Sequence, residues 1–155
     1  MILPHITYCN VIWGNTCKSY TANIVKLQKR ALRLCCDGKV PKSDKLFSET
    51  DRLSFQNVHC MQVALLVYKY FYYPSLLPHC IALLFEKISN IHQHQTRSLD
   101  NMSLFMHPGR LNARKNSLKI NAPRIWNSIP PNIRLINSST GIFKNKYKLL
   151  LQEIL

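Results

Sequence analysis

Basic side chains are the groups of this 155-residue sequence whose number and spacing indicate chemistry. Lys and Arg total 21 against 7 Asp and Glu, a net charge of +14, and such an excess favours polyanionic partners. We predict that two groups of cations contact nucleic-acid phosphates. The first comprises Lys26, Lys29, Arg30 and Arg33, and the second comprises Arg110, Arg114, Lys115, Lys119 and Arg124. No motif for reading a base sequence accompanies them.

The scarcity of carboxylates argues against catalysis. Metal-dependent phosphoryl transfer needs clustered carboxylates to hold its cations. The seven in this chain fall mostly at expected loops and helix ends: Asp37, Asp44, Glu49, Asp51, Glu86, Asp100 and Glu153. No P-loop, dinucleotide-binding or nucleophile-elbow motif is present either. We therefore expect the chain on its own to have no enzymatic activity and no cofactor.

The cysteine spacing does not favour a metal site, because the sequence of a structural zinc site typically contains two closely spaced Cys or His pairs. The six residues are Cys9, Cys17, Cys35, Cys36, Cys60 and Cys80. Without a recognisable secretory signal, we expect an intracellular protein, in nucleus or cytoplasm, with reduced and mostly buried thiols. No apolar run is long enough to predict a membrane span.

Helices must position the cations, and the hydrophobic periodicity predicts a mainly α fold: a small helical bundle with a short two-stranded β ribbon before the C-terminal helices. A helix is expected from Tyr20 to about Cys36, and a longer one from a cap at Ser54 to about Tyr73. The stretch from Ile2 to Trp13 fits a helix, with a strand as the open alternative. The side of the first helix opposite its cations would face the core through Ile24, Leu27, Ala31, Leu34 and Cys35.

The expected ribbon pairs residues 104–106 with 117–120 and carries the second basic group on its connecting loop and beyond. Pro123 fits the first turn of a short helix that Pro130 and Pro131 end. A last helix, capped by Ser138 or Ser139, would turn inward Ile142, Phe143, Leu149, Leu150 and Ile154. The expected structural anchors of the fold are Trp13, Trp126 and Phe143.

Four landmarks in order resemble the carboxyl-terminal region of reverse transcriptases from non-LTR (LINE-type) retrotransposons. That family shows a segment that begins Leu-Pro-x-x-x-Tyr and ends Trp-Gly, a Leu-Gln-Lys-Arg-Ala helix, a Thr-Arg turn, and a Gly-Pro-x-x-Trp-Asn-x-Leu-Pro segment before a Phe-Lys helix. The matching stretches here are residues 3–16, 27–31, 94–97, 122–130 and 143–144, which span nearly the whole chain. Ala122 stands where Gly is commoner.

The resemblance implies the thumb and post-thumb part of such a polymerase, with residues 1–90 as a thumb-like helical region and 91–155 as a basic C-terminal region. Its implied partners are template RNA or an RNA–DNA duplex and the upstream polymerase domains. The family's catalytic Asp-Asp motif and its endonuclease have no counterpart here, so we expect a non-catalytic fragment. The alternative is a structural protein-interaction module of a polyprotein, docking through the apolar helix at residues 55–73.

Overall fold

The computed structural model of the protein describes residues 3–36, 45–91 and 102–153, and the chain is mainly helical in these ranges. It divides into two compact units. Unit 1 comprises Met1–Gln62 and Lys148–Leu155, and unit 2 comprises Val63–Tyr147. The expected boundary between residues 90 and 91 falls inside unit 2.

Ten α-helices are present in the described ranges. The first five are α1 (Leu3–Thr7), α2 (Asn10–Trp13), α3 (Lys18–Leu34), α4 (Leu46–Glu49) and α5 (Phe55–Tyr72). The other five are α6 (His79–Ala82), α7 (Asn112–Lys115), α8 (Leu118–Ser128), α9 (Pro131–Arg134) and α10 (Thr140–Glu153). Short 3₁₀ turns cover Pro74–Leu76 and Ile88–Asn90.

The first stretch of unit 1 is helical, which decides against the alternative of a strand. Its two short helices are separated at Cys9, whose φ of 49° lies in the left-handed region. The small core beneath them consists of Ile6, Phe55 and Val58, with four partly buried neighbours: Trp13, Ile24, Val25 and Leu53. The Trp13 ring stacks on Phe55 with centroids 5.4 Å apart.

A buried polar cluster fixes α2 against α5 inside unit 1. The Asn10 amide nitrogen donates to the Ile6 carbonyl at 2.9 Å. Nδ1 of buried His59 lies 2.9 Å from Asn10 Oδ1 and 3.1 Å from the Asn10 carbonyl oxygen, so Nδ1 carries the proton and donates to them. Gly14 fits here because a Cβ at this position would overlap Asn10 and His59.

The orientation of α3 differs from the expected one. Its buried side follows Thr21 and Gln28, whereas Leu27 and Leu34 are 64% and 82% exposed, so the expectation that these two leucines face the core is wrong. Gln28 explains the orientation: its side-chain nitrogen donates to the Leu53 carbonyl at 2.8 Å, and its oxygen accepts from the Phe55 backbone N–H at 2.9 Å. Both ends of one amide thus hold α3 to the start of α5.

The helix α5 agrees closely with its expected range. Ser54 precedes it, and the Ser54 hydroxyl accepts from the Asn57 N–H at 3.3 Å, as an N-cap residue does. The expected capping role of Ser54 is therefore confirmed.

Unit 2 is built on stacked aromatic rings. Trp126 and Phe143 are both 0% exposed. The Trp126 indole N–H donates to the Met102 carbonyl at 2.8 Å, and its ring stacks on Phe71 at 5.4 Å between centroids. Phe143 stacks on Tyr68 at 4.5 Å. This density of ring contacts gives unit 2 a larger buried core than unit 1.

The expected β ribbon is wrong, because the described residues contain no β-strand. Ser117 precedes α8 and its carbonyl accepts from the Asn121 N–H at 2.9 Å, so residues 118–120 are the first turn of a helix. Leu104 forms only an isolated antiparallel bridge with Lys87. The Asn127 side chain takes the bonds that a strand partner would take, accepting from the Leu104 N–H at 3.0 Å and donating to its carbonyl at 2.8 Å.

Two helix details also depart from expectation. Pro123 lies inside α8, not in its first turn, because the helix already begins at Leu118. In α10 the buried side follows Phe143, Tyr147 and Leu151, while two residues expected inside are exposed: Ile142 at 45% and Leu149 at 60%. The Ser139 hydroxyl accepts from the Gly141 N–H at 3.1 Å, which confirms a cap at this end; Ile154 lies outside the described residues.

None of the six cysteines is in a disulfide; four of them are exposed and two are partly exposed. The expectation of mostly buried thiols is therefore wrong, because the cysteines lie on the outer sides and ends of their helices.

Candidate nucleic-acid interface

Lys26 and Arg30 are the most available cations of α3. Both are exposed, and because they are four residues apart on a helix they project from the same side. Neither forms a hydrogen bond or an ion pair with another residue of the chain as far as the structure describes it. Their charged groups are therefore free to bind an external anion.

The other two predicted cations of α3 flank this pair. Arg33 is exposed. Lys29 is partly buried, and its ammonium lies 5.9 Å from the centroid of the Phe47 ring, where it makes a cation–π contact. We call Lys26, Arg30 and Arg33 the basic surface, since Lys29 is turned toward its own unit.

The segment that carries the basic surface has no acidic residue, since the first Asp or Glu of the sequence is Asp37. In the described part of unit 1, Asp51 is held by α10: Lys148 Nζ lies 2.7 Å from its carboxylate and Gln152 donates at 3.0 Å. These hydrogen bonds from Gln152 and Lys148 lower the pKa of Asp51. Asp51 is therefore already paired, and in the described part of the chain neither Lys26 nor Arg30 forms an ion pair with a carboxylate.

Lys18 is a cation that the sequence reading missed. The helix was expected to begin at Tyr20, but α3 begins at Lys18, which is exposed. At about 100° per residue, Lys18 projects from nearly the side of Lys29 and lies at the edge of the basic surface, nearer to Arg33 than to Arg30. A helix that begins two residues before Tyr20 includes Lys18.

The second predicted group of cations lies in unit 2, and its members differ in whether they are free to bind an external anion. Arg110, Arg114 and Lys115 are exposed, the last two on α7. Two members already have partners within the chain. Lys119 Nζ is 3.9 Å from Glu86 Oε1, and Arg124 donates to the Asn121 side chain at 2.8 Å.

The predicted anchors differ in burial. Trp126 and Phe143 are completely buried in unit 2, whereas Trp13 is partly exposed in unit 1 and donates its indole N–H to the Tyr8 carbonyl at 2.7 Å. Gln28 lies in the resembling stretch at residues 27–31 and Asn127 in the one at residues 122–130. Each of these two side chains bonds to backbone groups. These segments therefore contribute to the fold as well as carrying charge.

In the described ranges, His, Cys, Asp and Glu side chains form no group of three that could hold a metal ion. None of the described helices combines the length and hydrophobicity needed to cross a bilayer.

Comparison with known proteins finds no family model, no curated protein and no solved structure that matches the chain. The resemblance of its segments to LINE-type reverse transcriptases therefore stays a prediction, and the turn at residues 94–97 lies outside the described residues.

Proposed function

We propose that the chain is a nucleic-acid-binding, non-catalytic part of a retrotransposon reverse transcriptase, which holds template RNA or the primer duplex through phosphate contacts. The observation that carries the proposal is the exposure of Lys26 and Arg30, side by side and without partners in the described chain, on a helix with no acidic residue. The family resemblance of the sequence supports the choice of nucleic acid.

The length of the basic surface suits a phosphate backbone. From Lys26 to Arg33 the helix rises about 10 Å. One strand of a duplex presents a phosphate about every 3.4 Å along its axis. Three cations therefore meet about three successive phosphates, and the Arg guanidinium can donate two parallel hydrogen bonds to one of them. Such contacts fix the position of the nucleic acid without reading its bases.

In this proposal the polymerisation chemistry belongs to other domains of the polypeptide, because the sequence has only seven carboxylates and the described ranges bring no three of them together with His or Cys into a metal-binding group. Its partners are RNA or an RNA–DNA duplex together with those domains. The site of action is intracellular, where these nucleic acids occur.

The test compares two doubly substituted variants with the same charge change. K26Q/R30Q removes two cations of the basic surface, and K144Q/K146Q removes two exposed lysines of α10 as the matched control. Fluorescence anisotropy with labelled RNA and with an RNA–DNA duplex at low salt should show K26Q/R30Q binding about tenfold more weakly or worse, because charge-assisted contacts contribute about 1.5–3 kcal/mol each. Equal losses in the two variants would contradict the proposal.

A second candidate function is favoured by the apolar residues that α3 leaves exposed. Tyr20, Leu27 and Leu34 recur every seven residues and are 69%, 64% and 82% exposed, as in the seam of a coiled coil. The neighbouring cations and the lack of acids select an acidic amphipathic helix of a partner protein as the occupant. This second candidate is a protein-interaction module, as in the alternative from the sequence, but its docking surface is on α3 instead of α5.

A synthetic Glu-rich amphipathic helix with a Leu stripe serves as the probe for this alternative. L27S/L34S should abolish its binding, whereas L83S, at an exposed leucine of unit 2, should not. If K26Q/R30Q binds RNA normally and L27S/L34S loses the peptide, the protein-interaction function is the correct one.

A further inference from the structure

A cavity of about 180 Å³ lies in unit 2 and is lined by Phe71, Lys87, Ser89, Met102 and Ser103. It is smaller than the roughly 300 Å³ at which pockets for drug-sized molecules begin. Its wall combines an ammonium group and two hydroxyls with an aromatic ring and a thioether. This size and lining suit a small polar group.

Lys87 presents unused hydrogen-bond donors at the cavity. Its ammonium lies 5.5 Å from the Tyr70 ring centroid and 5.4 Å from that of Phe71, so the two rings fix its position. Within the described chain it has no hydrogen bond and no ion pair. A lysine ammonium carries three donors and no acceptor, so a ligand here must accept hydrogen bonds.

Arg134 places a second positive charge behind the cavity wall. It is only 5% exposed, and no carboxylate of the described residues pairs with it. Its Nη1 donates to Ser103 Oγ at 2.9 Å, while its Nε is buried without a partner. A buried charge without a counter-ion is costly, so an anion nearby would stabilise the unit. Because Ser103 Oγ accepts from Arg134, the hydroxyl proton of Ser103 is free to donate.

Met102 shows that the wall is held in an unusual conformation. Its φ of 50° lies in the left-handed region, which is rare for a side chain of this size. Its carbonyl accepts from the Trp126 indole at 2.8 Å. Its sulfur lies 3.2 Å from the Tyr72 hydroxyl, whose single proton is shared with the Arg134 carbonyl at 2.9 Å. Strain of this kind concentrates at binding sites.

We propose that this cavity binds a phosphate group. The Lys87 ammonium and the Ser103 hydroxyl donate to its oxygens, and Arg134 supplies positive charge from behind. Ser89 adds a further hydroxyl at the rim, which exchanges its long bond to Asn90 Oδ1, at 3.4 Å, for one to the ligand. The ligand is inorganic phosphate or the terminal phosphate of a nucleic-acid strand. The site belongs to unit 2 and does not depend on the basic surface of unit 1.

The test is calorimetric titration of the whole chain with sodium phosphate, and of the K26Q/R30Q chain with a short RNA carrying either a 5′-phosphate or a 5′-hydroxyl. K87M keeps an unbranched apolar side chain over the two rings but removes the charge. K69M, at an exposed lysine of the same unit, is the matched control. We expect saturable phosphate binding that is about tenfold weaker or worse in K87M and unchanged in K69M.

Inorganic phosphate binding as tightly as the 5′-phosphorylated RNA identifies the ligand as a free anion, and a preference for that RNA over its 5′-hydroxyl form identifies a strand end; both uphold the site. S89A, at an exposed serine, gives a second loss of affinity if K87M fails to fold. Absence of saturable binding by the unaltered chain, or equal weakening by K87M and K69M, would overturn the proposal.

Discussion

Units 1 and 2 each contain one of the two tryptophans of the chain, and they bury it to different degrees. Trp126 is 0% exposed within a stack of aromatic rings, whereas Trp13 is partly exposed beside a core of three buried residues. Unit 1 also carries Leu27 and Leu34 on its surface. Unit 2 exposes leucines as well, such as Leu83 at 64%. The contrast between the units therefore lies in their cores, and it indicates that unit 2 depends more than unit 1 on aromatic packing for its stability.

The two units share one device, a side-chain amide that bonds to backbone at both ends. Gln28 in unit 1 bonds to Leu53 and Phe55, and Asn127 in unit 2 bonds twice to Leu104. In each case the amide satisfies a backbone N–H and a carbonyl that lack partners in regular structure. Polar residues thus fix the connections in both units, and the difference between the units lies in their apolar cores.

The tryptophans give the largest expected effects. Trp126→Ala should reduce the free energy of unfolding by about 3–5 kcal/mol because it empties a closed site. Trp13→Ala should cost about 1–2 kcal/mol because part of that ring already contacts water. Urea unfolding followed by circular dichroism measures both. Equal losses would remove the contrast in packing between the units.

Gly14→Ala should destabilise unit 1 by about 1–3 kcal/mol, because the new methyl group overlaps Asn10 and His59 and forces them apart. The Trp13 resonance of protein labelled with fluorotryptophan reports on unit 1 during urea unfolding. Gly141→Ala serves as the control, since its Cβ would meet only the Ser139 hydroxyl, at 3.5 Å. An unchanged midpoint in Gly14→Ala would show that the Asn10–His59 cluster tolerates displacement.

Gln28→Ala and Asn127→Ala should each cost about 1–3 kcal/mol, because each leaves backbone groups without a partner. Gln56→Ala, at an exposed position of α5, should have almost no effect. Fluorotryptophan resonances of Trp13 and Trp126 follow the two units in urea. Losses no greater than that of Gln56→Ala would mean that the amide bonds contribute nothing to stability.

The stability of unit 1 should also fall in mild acid. Burial lowers the pKa of the His59 imidazole below its ordinary 6.5, although the bond to the Asn10 carbonyl acts in the opposite direction. The unfolded chain therefore binds a proton near pH 6.5 that the folded chain does not, and stability declines as the pH falls below that value. Above it, His59 contributes no pH dependence.

The measurement is the urea midpoint of the Trp13 resonance between neutral pH and pH 5. His59→Gln should flatten the profile in this range, and His79→Gln, at an exposed histidine of α6, should leave it unchanged. A profile that keeps its slope in His59→Gln would assign the acid sensitivity to another group.

The sequence predicted the elements whose signals are local. The apolar run and the Ser54 cap gave the start of α5 correctly, because both features lie within a few residues of the helix end. The orientation of α3 could not be predicted in the same way. Its buried side carries Gln28, and only the distant Leu53 and Phe55 show why a polar residue belongs there.

The prediction of a β ribbon was wrong for the same reason, since it depended on residues that are distant in the sequence. Leu104 and its neighbours have strand character, but their partner is the side chain of Asn127 rather than another strand. The cavity could not be foreseen either, since Lys87 and Arg134 are separated by 47 positions in the numbering of the sequence. The cations of α3 were visible from composition, whereas the partial burial of Lys29 against Phe47 required the fold.

The salt dependence of RNA binding tests the proposed phosphate contacts most directly. The slope of log K against log salt concentration is negative, and it should be less steep by about 1.4–1.8 in K26Q/R30Q than in the unaltered chain. The reason is that binding releases about 0.7–0.9 fewer counterions for each phosphate contact that is lost. K144Q/K146Q should keep the original slope. Equal slopes for the unaltered chain and K26Q/R30Q would show that Lys26 and Arg30 do not contact the nucleic acid.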